Sequence, residues 1–580
     1  NPDPMAIRSF LQWSQEYWIA PYPNNVLLLG DGGYDYRNIN GFSSIIVPTV
    51  QVQSTQSYAT DDLLSTIYGS IPEVATGRFP AKTIQEVSAF IEKVKKIEIN
   101  PTFGPWRQKV TLVADDAARP EPSHGSIATG QSHTINSEQI ADLIPSAVNI
   151  EKLYMMEYPE VNDASAYGVI KPDATEALLN NLKNGTAILS YIGHGSPYQL
   201  AQEKLLDLNR GDISKINTGD KLPLWIVGTC SFGWFDDPLN ESFSEALIKS
   251  EMNGASMVIS TTRAISVVGN ERYITDLFGN IFNNGKINSQ TVGTILQSIK
   301  DGTSESRYFH LFGDPGMRIP MPIDTLLSLD LSPDTLKTLD KGMFYGEQAL
   351  ISESGNGYVT LIDADRYVIR DYDIASETYS LSYMLPGANL FRGQFSFSGT
   401  NFEGEIRIPL DISYSDNLAR LIIYINNDEK DMIGVINHIK LEGGSSIQDN
   451  EGPIIVFETI SGVRLEENDH LEKNKDLVIK ITDPIGINLT NEVGHEIIIK
   501  DLNNQELYNK TNDFSYEQNS IVTGKILFPT TDENINLKIK AWDNANNPSE
   551  KTIKLYRSQN NLLKIYNVYN FPNPYSDFTQ

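Results

Sequence analysis

Leu222–Gly233, LPLWIVGTCSFG, decides how the rest of the chain is read. An apolar run of Leu222, Leu224, Trp225, Ile226 and Val227 ends at Gly228-Thr229-Cys230. Short apolar runs bounded by turn residues read as strands buried on both faces. Cys230 is the single cysteine of 580 residues. Ala187–Gly195, AILSYIGHG, has the same form and ends at His194 between two glycines. In an open α/β sheet, functional groups collect at the carboxyl ends of neighbouring strands. One strand end offering a thiol and another an imidazole read as a nucleophile and its base.

Working outward, Lys109–Ala114 (KVTLVA) is a third apolar strand, followed by Asp115-Asp116. Upstream, Asn25–Gly33 (NVLLLGDGG) reads as a strand ending in a glycine turn that lacks the GxGxxG spacing of a phosphate loop. Glu73–Arg78 reads as another strand, and 6–18 and Thr83–Glu98 as amphipathic helices. Further helices are expected at Ser137–Ile144, Ala174–Asn184, 242–252, 271–283 and 289–300, with a strand at Ala255–Ser260. This alternation predicts a mostly parallel sheet covered on both faces. After Pro322 the pattern becomes short alternating runs such as GEIRIPLDI and LARLIIYIN, separated by Gly, Asn and Asp turns. That is the pattern of β-sandwich modules. The expected divisions are a first α/β subdomain at 1–98, a catalytic α/β subdomain at 99–322, sandwich modules at 323–447 and 448–558, and the start of a further module at 559–580.

A net charge of −28, from 74 acidic and 46 basic residues, argues against nucleic acid as a partner. No apolar run approaches the roughly 20 residues that span a bilayer. Neither end reads as a signal peptide, and the chain reads as a piece of a longer protein. One cysteine allows no internal disulfide, and no paired Cys/His spacing points to zinc.

A thiol attacks an acyl carbon as thiolate and needs a base or cationic neighbour near neutral pH. His194 can take the proton and return it to the leaving amine. The backbone N–H groups of Gly195 and Cys230 lie where an oxyanion would develop. A carboxylate commonly orients the imidazole, and Asp116 is the expected one, with Asp115 next.

At YIGHGS (191–196) and GTCSFGWFDDP (228–238) the chain resembles the gingipain-type cysteine peptidases, relatives of the caspases. GRFPA (77–81), TDD (60–62), VADD (113–116), ESFSEALI (241–248) and FGDPGMRI (312–319) are similar to further blocks of that family. The resemblance covers about residues 20–322. It implies a caspase/gingipain-like three-layer α/β domain followed by Ig-like modules. It also implies a His194–Cys230 dyad, an oxyanion hole from Gly195 and Cys230, and Asp116 as the acid. His133 and Trp234 are then the residues that meet substrate, and a histidine at 133 is at odds with trypsin-like specificity. GDGGYDYRN, SPYQLAQE, STTRAISV and the closing YNFPNPY most resemble the sortase subgroup of the type IX secretion system. Such enzymes remove C-terminal sorting domains from exported cargo. They can pass the acyl group to an amine of anionic lipopolysaccharide, beside outer-membrane secretion partners at the cell surface. The resemblance implies no cofactor for the chemistry and structural calcium, for which Asp31, Asp61 and Asp62 lie in acidic loops. The competing expectations are a secreted protease that only hydrolyses, and an inactive surface adhesin.

Overall fold

The computed structural model describes residues 3–41, 46–116, 127–164, 168–351, 353–374, 377–414, 418–444, 447–530 and 532–558. The module expected at 559–580 lies outside them. Helix α1 (Pro4–Tyr17) starts at Asp3, whose carboxylate accepts the Met5 N–H. Helix α2 (Ile84–Glu98) starts with a reciprocal pair, Thr83 capping Glu86 N–H and Glu86 capping Thr83 N–H. Such pairs satisfy two amides that the first turn leaves open.

The centre of the molecule is an eight-stranded sheet. Its strands are β1 (Asn25–Leu29), β2 (Ala75–Phe79), β3 (Lys109–Ala114), β4 (Asn149–Tyr154), β5 (Ile188–Ile192), β6 (Leu224–Gly228), β7 (Met257–Thr261) and β8 (Phe309–Phe312). The spatial order is β1-β2-β8-β7-β6-β5-β3-β4. Every neighbouring pair is parallel except β7 with β8. The sheet is thus mostly parallel, as expected, but built from two parallel blocks that run in opposite directions. Strands β5, β6 and β7 are buried throughout, which is why they read as unbroken apolar runs. Separate apolar clusters bury the two faces: Leu224, Ile226 and Ile259 belong to one, and Trp225, Val227 and Val258 to the other. The sheet is continuous across the division drawn at residue 98, because β8 returns to pair with β2.

Helices α3 (Ile127–Leu143), α4 (Pro172–Asn184), α5 (Phe243–Lys249) and α6 (Val267–Ile281) cover the sheet. Helix α3 begins ten residues before the stretch whose apolar spacing announced it. Beyond residue 323, a six-stranded and a three-stranded sheet form one sandwich, and two five-stranded sheets form the next. The hairpin β9 (Arg366–Ile374) and β10 (Glu377–Leu385) leaves the first sandwich and packs on the α/β domain. Among the described residues no helix is long and apolar enough to cross a membrane.

Candidate active site

The site follows from strand register. Gly228 of β6 pairs with Ile192 of β5, and Ile192 pairs with Ala114 of β3. Asp115 stands one residue beyond that line, and His194 and Cys230 two. The three chain ends are stitched together where the strands stop. Asp115 N–H donates to Ile192 O at 2.9 Å, and Gly193 N–H to Gly228 O at 3.3 Å.

One carboxylate oxygen of Asp115 meets the Nδ1 of His194 at 2.7 Å and accepts the His194 N–H at 2.8 Å. The Tyr191 hydroxyl donates to His194 O at 2.6 Å. The imidazole is thereby held at ring and backbone, and Nε2 is left for proton transfer. Burial raises the Asp115 carboxyl, but the hydrogen bond and charge of His194 outweigh it and hold the group below the ordinary carboxylate value. Gly193 and Gly195 serve close packing. A Cβ on Gly193 would come within 2.3 Å of the Asp115 Cβ, and one on Gly195 within 2.6 Å of Thr229 Oγ1.

Cys230 is half-buried, its Sγ 3.8 Å from Ile265 O. The next residue, Ser231, has φ +56°, the left-handed region that costs a side-chain-bearing residue about 1 kcal/mol. Its N–H is held by Arg263 O and Thr261 Oγ1, both at 3.1 Å. The Thr261 hydroxyl in turn donates to Thr229 O, and Asn270 Nδ2 to Gly228 O at 2.9 Å. Further on, the buried pair Asp236–Arg263, with two contacts of 2.7 Å, clamps the loop. A sharp turn pinned in this way presents the thiol at the strand end and keeps it there.

His194 and Cys230 open into one pocket of about 260 Å³, together with Gly195, His133, Ile265 and Asn270. The His133 ring stands edge-on to His194, with centroids 4.8 Å apart. Among the described residues lining this pocket none is acidic. Trp234 is not among them, and its ring lies 4.7 Å from the Arg263 guanidinium. The structure therefore brings His133 beside His194 and assigns Trp234 to the loop clamp.

The acid expected behind the histidine was Asp116. That assignment is corrected to Asp115. Asp115 is the acid that meets the imidazole, and Asp116 beside it pairs with Lys171 at 2.6 Å. The carboxylates offered for calcium are also engaged. Arg78 holds Asp61 through two nitrogens, at 2.7 and 2.8 Å. Lys300 lies 2.8 Å from Asp62, and Lys82 3.4 Å from Asp31. As they stand these three carboxylates do not make a calcium site, because a hard cation would have to displace ammonium and guanidinium groups already in place.

Residues 1–320 match the model of peptidase family C25. The chain belongs to that family. The family is one of cysteine peptidases, in keeping with the thiol and imidazole on neighbouring strand ends. The fold is similar to the crystal structure of the Arg-specific cysteine proteinase gingipain R (RgpB), with 17% identity and a TM-score of 0.43 over 76% of this chain and 88% of that one. The complex of Porphyromonas gingivalis RgpB pro- and mature domains gives 16% identity and 0.42, over 76% and 90%. Dimeric latent PorU from Porphyromonas gingivalis gives 19% identity and 0.33, over 99% of this chain and 52% of PorU. The chain thus spans about half the length of PorU. No curated protein matches it.

Tyr191, Lys171, Asn270, Glu203 and the Asp236–Arg263 pair were not foreseen as parts of the site. Glu203 and Arg263 stand inside SPYQLAQE and STTRAISV, stretches singled out without a role. Arg263 meets Asp236, 27 residues before it in the chain, and only the fold reveals that pairing.

Proposed function

We propose that this chain is a sortase-type cysteine peptidase of the cell surface that works through a thioester on Cys230. The observation that carries this reading is the strand register that leads His194 and Cys230 to one pocket, with Asp115 buried behind the imidazole. His194 removes the thiol proton, and the thiolate attacks the substrate carbonyl carbon. The oxyanion is met by the N–H groups of Gly195 and Cys230. The C–N bond then breaks, and the imidazolium gives its proton to the leaving amine. The leaving fragment in this reading is a C-terminal sorting domain. An incoming amine, on anionic lipopolysaccharide, attacks the thioester, loses a proton to His194, forms an amide and releases the thiol. Water in that place gives a carboxylic acid and simple hydrolysis.

The pocket supports an uncharged side chain before the cleaved bond, since its described lining offers histidine and amides and, among those residues, no acid to meet arginine or lysine. The test is Cys230→Ala in the producing cell. Cargo is expected to accumulate with its sorting domain attached, and normal processing in the variant would remove the proposal. The mass of the processed cargo terminus separates the two acceptors: an amide adduct supports transfer, and a free carboxylate supports hydrolysis.

A further inference from the structure

Behind the dyad, Asp115, Asp116 and Glu203 are buried together, with a carboxylate oxygen of each within 4.8 Å of the others. Two basic partners serve these three acids. His194 takes Asp115 at 2.7 Å and Lys171 takes Asp116 at 2.6 Å. Lys171 is anchored on that side, since it also donates to Met155 O at 2.8 Å. Among the described ion pairs none includes Glu203. Three carboxylates this close in a water-poor setting cannot all carry charge.

We propose that Glu203 is a positioning residue for His194: it stays as a carboxylic acid and shares its proton with the aspartate pair, so that Asp115 meets the imidazole as the one carboxylate free to pair with it. The inference rests on the His194–Cys230 reading above. Other charged and titratable groups face the cluster from each side. They are Lys171 at the start of α4, Tyr191 and His194 at the end of β5, His133 from α3, and Glu160. Burial first, and then the charges of Asp115 and Asp116, push the Glu203 carboxyl up to about 8. Asp116 is raised to about 6 by its own burial, with Asp115 adding and Lys171 opposing. The proton therefore resides on Glu203 through the neutral range. When it leaves, a third negative charge is buried behind the imidazole, and the reactivity of Cys230 beside it changes above that pH.

The experiment is the pH dependence of Cys230 alkylation by iodoacetamide, which needs no knowledge of the natural substrate. Glu203→Gln keeps the shape and cannot ionise. Its profile is expected to follow the wild type below about pH 7, where both side chains are neutral, and to depart from it several-fold above about pH 8. Lys171→Met, which removes the neighbouring cation, is expected to move the upper inflection to higher pH. Wild-type and Glu203→Gln profiles that coincide from about pH 5 to 10 overturn the inference. So does an inflection that shifts with calcium or a chelator, which would put a metal ion where the proton is assigned. His194→Ala serves as the separate control. A profile unchanged by it brings down the dyad itself, and this inference with it. A changed one, with Glu203→Gln silent, brings down only the role of Glu203.

Discussion

His194 meets Asp115 through Nδ1, so the acid selects which ring nitrogen is left free. Asp115→Asn keeps the size of the side chain but can present an amide N–H to that nitrogen, which favours the wrong tautomer. Loss of the orienting carboxylate in other His-based sites costs up to ~10⁴-fold in rate. A fall of about 10²–10⁴-fold in kcat/KM is expected, measured on a cleavable peptide, with the fold intact by circular dichroism. Asp116→Asn is expected to cost far less, because its partner is Lys171. Equal losses in the two variants would refute the assignment. Gly193→Ala belongs beside them. Its Cβ would press on Asp115 at 2.3 Å, so ~1–3 kcal/mol of stability and most of the activity should go together. The doublet Asp115-Asp116 also marks a limit of reading from sequence. That an acid ends the third strand is plain from the apolar run before it. Which of two adjacent acids faces the histidine depends on the last residue of the ladder, and strand ends carry no such mark.

At the scale of elements, hairpin β9–β10 holds helix α3. Glu138 on that helix accepts from Lys152 Nζ at 2.6 Å, from the Tyr154 hydroxyl at 2.5 Å and from Met384 N–H at 2.9 Å. Below it, Glu157 is gripped by Arg370 through two bonds of 2.8 Å and by the Tyr383 hydroxyl. The same helix carries His133 to the side of His194. Glu138→Ala strips the acceptor from three donors at once, and a loss of ~2–4 kcal/mol in denaturant unfolding is expected. Glu138→Gln should cost less. No loss in either variant would mean that the hairpin is held by its apolar contacts alone. These elements were unequally visible beforehand. The buried central strands stand out as apolar runs. The first turns of α3, IATGQSHTIN, contain Gly130 and several weak helix formers, and their helix rests on packing against α6. Strand β8 has only four residues, too few to show a period of their own, although the turn Gly313-Asp314-Pro315-Gly316 closes it.

For the whole molecule, pH and salt act through the acids. Burial pushes the Glu245 carboxyl up to about 8, with Asp31 adding to it and Lys249 and the Ser242 bonds opposing. Its folded value lies above the unfolded one. The stabilisation from its bound proton is therefore complete below the ordinary glutamate value of 4.5 and is lost as pH rises toward 8. Thermal melting temperature is expected to fall over that window. Glu245→Gln, which keeps the cap acceptor for Ser242, should flatten the fall by more than ~2 °C. An unchanged slope would show that the carboxyl is ionised in the folded protein. A net charge of −28 also repels itself, so salt raised from about 0.01 to 0.15 M should raise the melting temperature as well.

The antiparallel junction between β7 and β8 has a consequence for the order of assembly. Strand β2 and strand β7 are not neighbours, and β8 is the slat between them. It is made after every residue of the dyad. A nascent chain that has released Cys230 and His194 still has two unclosed sheet edges, one on each half, and such edges are sites of misassociation. The thiol is thus present before the barrier to its proper setting is passed, and the sheet closes only when Phe309–Phe312 arrives. A chain cut before residue 309 should collect as aggregate without activity.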